Sequence, residues 1–168
     1  MGVSSVSLPY VLLVLAIMSE LSDLFDGLLA RKYNMVTELG KILDPMADSV
    51  FRLSVLLAFT QGLVSLPILL VSVFFYRDSI ISTLRTVCAL RGFTLAARKS
   101  GKIKAVILAA ISFFIILLMI PYSLGIISGE TLRLFSLWSV SVTAVYVVYT
   151  GYEYIHANRV HIKKALGF

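Results

Sequence analysis

A single cysteine, Cys88, occurs in 168 residues, so the chain can form no intramolecular disulfide and holds no CxxC metal site. The two histidines, His156 and His161, lie in the C-terminal tail without ligand spacing and read as surface residues. Charge is scarce, at 14% of residues, and acidic groups are scarcer than basic ones, 9 against 15. No basic region precedes the first apolar run, which therefore does not resemble a cleaved signal peptide. Neither an internal repeat nor a low-complexity segment interrupts the chain.

Apolar residues are abundant: 59% are hydrophobic and the mean hydropathy is +0.95. Soluble domains hold roughly 45–50%. The excess falls into five long runs, at about Val6–Ala30, Ile42–Thr60, Leu66–Leu90, Ala105–Ile120 and Leu134–Tyr154. About 20 helical residues cross the ~30 Å hydrocarbon core. The expected fold is therefore all-α: a polytopic transmembrane helix bundle of about five spans.

Basic residues mark the orientation. Eleven of the fifteen fall into three segments: Arg31, Lys32 and Lys41 in a connector; Arg91, Arg98, Lys99, Lys102 and Lys104 in a loop; Arg159, Lys163 and Lys164 in the tail. The positive-inside rule puts these segments in the cytoplasm, against anionic lipid, and excludes a need for nucleic acid to explain the net charge of +6. Five spans then leave the N-terminus outside. Tyr146, Tyr149, Tyr152 and Tyr154 at the end of the fifth run read as interface and packing groups.

Against this apolar background stand Asp23, Asp26, Asp44 and Asp48. A carboxylate near a bilayer centre costs roughly 2.5–3.5 kcal/mol. Four within 26 residues point to a polar cavity that holds cations. Residues three or four apart on a helix are neighbours, with about 5–6 Å between Cβ atoms. Asp23 and Asp26 thus pair on one helix, Asp44 and Asp48 on the next, and an antiparallel hairpin brings the pairs together. Such oxygen ligands suit Mg²⁺ or Mn²⁺, and two ions about 3.5–4 Å apart serve displacement at phosphorus. Gly27, Ala30 and Gly40 allow a ligand to approach closely, and Arg31 suits bidentate contact with phosphate.

Written as a pattern, the stretch is D-x2-D-G-x2-A-R-x8-G-x3-D-x3-D, from Asp23 to Asp48. It resembles the signature of the CDP-alcohol phosphatidyltransferase family at every specified position. That resemblance implies a CDP-linked lipid donor, a small alcohol acceptor, CMP release and a divalent metal. It implies Asp23, Asp26, Asp44 and Asp48 as metal ligands, two ions being the natural number, with Asp48 also the general base. Gly27, Ala30, Arg31 and Gly40 would serve the cytidine and diphosphate. Family members usually carry six spans, the first opening with a stretch like P-N-x-L-T-x-x-R. This chain begins near the second, so the expectation is one domain over 1–168 lacking that helix.

Downstream, RDSIISTLR (Arg77–Arg85) followed by GKIK (Gly101–Lys104) is similar to the phosphatidylglycerophosphate synthase branch of the family. Arg77 and Arg85, eight apart and close to one helix face, with Lys102 and Lys104, would bind the phosphate of an acceptor such as glycerol 3-phosphate. The resemblance thus implies phosphatidyl transfer from CDP-diacylglycerol to glycerol 3-phosphate in a bacterial cytoplasmic membrane, with the site facing the cytoplasm. Partners are then the two substrates and membrane lipids, with a homodimer allowed.

Other readings stay open beside these. The acceptor could instead be inositol phosphate, inositol or serine. Lys102 and Lys104 serve lipid headgroups as readily as substrate. Asp78 reads as the ion-pair partner of a neighbouring arginine, and Glu20 as a solvated helix end. Intramembrane aspartates also suit a cation transporter, although outer halves almost wholly apolar argue for a one-sided site. A truncated, inactive assembly subunit is the third function class.

Overall fold

The computed structural model describes residues 6–33, 38–92, 95 and 99–166, with the side chains at 23–24, 30–31, 38–45 and 166 outside the described set. Five helices follow one another: α1 (Leu8–Lys32), α2 (Glu38–Ala58), α3 (Ile68–Leu90), α4 (Lys99–Ser123) and α5 (Gly129–Leu166). The described residues contain no strand. The expectation of an all-α bundle of membrane helices is met.

Three helices are long and apolar enough to cross a membrane: α1 over Leu8–Leu29, α4 over Lys99–Ser123 and α5 over Gly129–Ala165. The other two expected spans form helices of 21 and 23 residues but carry too much charge to qualify. On α2 the charges include Asp44, Asp48 and Arg52; on α3 they are Arg77, Asp78 and Arg85. The two helices that fall short are those rich in candidate site residues.

Helix α5 is the spine, with α3 and α4 packed on it, α2 on α3 and α4, and α1 on α4. Its buried stripe runs Leu132, Ser136, Val140, Thr143, Ala144, Val147, Thr150 and Tyr154, a period near 3.6 that keeps one face inward. Phe74 of α3, Leu56 of α2 and Ile115 of α4 complete the fully buried core. The opposite face of α5 exposes Trp138, Val142, Val145, Tyr149 and Tyr152. Exposed apolar surface on that scale suits contact with lipid rather than water.

Two boundaries differ most from the sequence expectation, while α2 and α5 also start four and five residues early, at Glu38 and Gly129. Helix α4 begins at Lys99 and not near Ala105, so Lys99, Lys102 and Lys104 ride on its first turns instead of in a loop. Gly101 does not break the helix there, because N–H groups of a first turn have no intrahelical partners to lose. The tail is helical as well: α5 has 38 residues, about 57 Å at 1.5 Å per residue, and outruns the ~30 Å hydrocarbon core. Helix α4 does stop where PYSLG predicts. Gly125 takes φ +73° and donates to the Tyr122 carbonyl at 3.0 Å, while Ile126 donates to that of Pro121 at 2.9 Å, a Schellman end.

Candidate active site

The four aspartates lie on α1 and α2, as their spacing requires. Asp26 and Asp48 are exposed, and the side chains of Asp23 and Asp44 lie outside the described residues. Those of Ala30 and Arg31, and the surroundings of Gly40, lie outside them too. Among the described residues no three metal-ligating side chains converge.

An ion pair spans the gap between α1 and α2. Arg52 Nη1 donates to Glu20 Oε1 at 2.9 Å, with the arginine 15% and the glutamate 37% exposed. Glu20 is therefore an inter-helix partner and not a solvated helix end. Arg52 is four residues after Asp48 and Glu20 three before Asp23, so the pair sits one turn from each. Among the described residues the two helices share no backbone contact, which leaves this bridge as the described link between them.

Gly27 supplies a second observation. A Cβ added there meets no atom of the described residues within 4 Å. Glycine in a helix interior costs about 1 kcal/mol relative to alanine. Open space beside Asp26 suits a ligand. Hard carboxylate donors on two bridged helices have the chemistry to hold a divalent cation.

The predicted acceptor cations lie on α3 and α4, and the structure treats them unequally. Lys104 is buried, and its Nζ donates to both Asp78 oxygens at 2.7 Å. Arg77 Nη1 donates to Asp78 Oδ1 at 3.0 Å and Nη2 to Thr150 Oγ1 at 3.2 Å, while Nε is buried with no partner among the described residues. Ser49 Oγ also donates to Asp78. Arg85 Nε donates to the Tyr154 hydroxyl at 3.1 Å, with the guanidinium 5.3 Å from that ring's centroid. This bond leaves the two terminal nitrogens uncommitted by it, the pair suited to bidentate phosphate contact. Lys102 is exposed.

Asp78 is thus an ion-pair partner, of Lys104 as well as of the expected arginine. Tyr154 differs from the expected interface role: it is 2% exposed and holds Arg85, whereas Tyr149 and Tyr152 do face outward. Gly151 belongs to the same rail, since a Cβ there would lie 3.2 Å from Arg77 Cγ. Thr150, Gly151 and Tyr154 carry no sequence signal for this role, because it exists only once α3 packs on α5.

Known proteins place the chain in a family. The pattern describing CDP-alcohol phosphatidyltransferases matches residues 5–152. The chain belongs to this family. It is 30% identical over 151 residues to the CDP-diacylglycerol–glycerol-3-phosphate 3-phosphatidyltransferase of Rickettsia typhi, covering 88% of this chain and 80% of that protein. The Bacillus subtilis protein of the same name is 34% identical over 147 residues, covering 86% and 72%. A CMP-forming cardiolipin synthase of Streptomyces coelicolor is 42% identical over 72 residues, 43% of this chain and 33% of that one. The chain is thus an enzyme of a generally metal-dependent family and an integral membrane protein.

Proposed function

We propose that this chain, as one domain over 1–168, transfers the phosphatidyl group of CDP-diacylglycerol to glycerol 3-phosphate and releases CMP. One observation carries the choice of acceptor: a set of cations on α3 and α4, anchored to α5, lies beside the helix that bears Asp48. A phosphorylated acceptor needs such a set and a neutral alcohol does not. The names of the Rickettsia and Bacillus relatives support the same acceptor.

Asp23, Asp26, Asp44 and Asp48 would hold Mg²⁺ or Mn²⁺, as two ions. When bound, these supply positive charge to the diphosphate of the donor. Gly27, Ala30 and Gly40 leave room for the nucleotide, and Arg31 pairs with its phosphates. The terminal nitrogens of Arg85 take the acceptor phosphate, with Arg77, Lys102 and Lys104 setting the positive potential around it. Asp48 accepts the proton of the acceptor hydroxyl as that oxygen bonds to the lipid-side phosphorus. The bond from that phosphorus to CMP breaks, and CMP leaves with the electron pair. The protein's share is positioning and electrostatics.

The basic segments support a bacterial cytoplasmic membrane location with the site facing the cytoplasm. Radiolabelled CMP release from CDP-diacylglycerol in detergent or vesicles tests the function. Release that requires both glycerol 3-phosphate and a divalent cation is expected. No release with any acceptor would overturn it and leave the inactive assembly subunit.

A further inference from the structure

One carboxylate joins four helices. Asp78 of α3 accepts from Ser49 of α2, from Arg77 of its own helix and, with both oxygens, from Lys104 of α4; Arg77 in turn reaches Thr150 of α5. Four donor contacts nearly fill the lone pairs of a carboxylate. A buried ion pair is weak evidence for stability in itself, since well-packed apolar residues of similar volume often do as well. Neutralising Lys104 also needs no serine from a third helix. The contact with Ser49 is the informative one, because Ser49 directly follows Asp48.

Successive residues on a helix point about 100° apart. Fixing Ser49 against α3 therefore fixes the rotation of α2 about its axis, and with it the direction of Asp48. The Arg52–Glu20 bridge holds the other flank. We infer that Asp78 is a positioning residue for the transfer: through Ser49 it aims the Asp48 carboxylate, and through Arg77 and Lys104 it keeps the base in register with the acceptor cations. This rests on the proposed function, in which Asp48 is the base.

Ser49→Ala removes the α2 tie and leaves the Asp78–Lys104–Arg77 unit in place. Its kcat should fall about 10- to 100-fold, as a displacement of about 1 Å does. The KM for each substrate and CDP-diacylglycerol binding should stay within about twofold, the remote tie touching neither ligand. Ser49→Thr, which keeps the hydroxyl, should restore most of the rate. Asp78→Asn should lower kcat and also raise the acceptor KM, since both cations lose their register. A Ser49→Ala protein with wild-type kcat overturns the inference. So does a rate loss matched by a loss of folded protein and not rescued by threonine. If the parent works only with another acceptor, the same kcat comparison is made with that one. A parent inactive with every acceptor overturns the proposed function and this inference together.

Discussion

The two halves of the site are built in opposite ways. On α1 and α2 the carboxylates of Asp26 and Asp48 are exposed, and Gly27 borders open space. On α3 and α4, Arg77, Asp78, Arg85 and Lys104 are buried or half-buried and held by protein partners: Lys104 and Arg77 on Asp78, Arg77 on Thr150, Arg85 on Tyr154, while Lys102 alone of the predicted acceptor cations is exposed. Under the proposed function, the first half is completed by ligands and the second by packing. A half completed by ligands leaves its mark as residue spacing along one stretch of chain. A half completed by packing leaves its mark only in three dimensions.

The contrast can be broken by mutation. Asp48→Asn should have the largest effect, a fall in turnover of about 10²–10⁴-fold, the range of general-base contributions, with CDP-diacylglycerol binding largely kept. An equal loss of binding would show that its work is chiefly metal ligation. Arg85→Ala should raise the acceptor KM about tenfold or more, since hydrogen bonds to charged groups contribute about 1.5–3 kcal/mol. The donor KM should move much less, and an unchanged acceptor KM would remove Arg85 from the acceptor site.

Gly27→Ala tests the open half more finely. Among the described residues no atom opposes the added methyl, and alanine is the better helix former by about 1 kcal/mol, so the melting temperature should hold or rise. The donor KM should nonetheless increase several-fold, with the acceptor KM unchanged. A variant with wild-type donor kinetics would remove Gly27 from the donor site. Glu20→Gln should have the smallest effect, near 1 kcal/mol in stability, because the glutamate is 37% exposed and such pairs are worth little. A larger loss would show that the bridge alone keeps α1 beside α2.

Much of this was legible in the chain. The apolar runs predicted five helices, and the resemblance of the stretch from Asp23 to Asp48 predicted the family. Helix boundaries were less legible where a local rule met its exception. Gly101 reads as a breaker, yet it lies in a first turn, and the tail beyond Tyr154 reads as polar although α5 continues to Leu166. Glu20 was misread because its partner, Arg52, is 32 residues away in sequence. Thr150, Gly151 and Tyr154 are farther still, 69 to 74 residues from the arginines they hold. No periodicity or motif reports a partner at that distance. The hydropathy of α2 and α3 misleads in a useful direction: their charges are those of the candidate site and of the Asp78 cluster.

The central claim is that these cations select a phosphorylated three-carbon alcohol as the acceptor. Its most direct test supplies glycerol 3-phosphate, inositol phosphate, inositol and serine together, with CDP-diacylglycerol and Mg²⁺, and identifies the lipid product by mass spectrometry. Phosphatidylglycerophosphate as the dominant product is the expected result. A product carrying inositol or serine, formed in preference to it, would contradict the account.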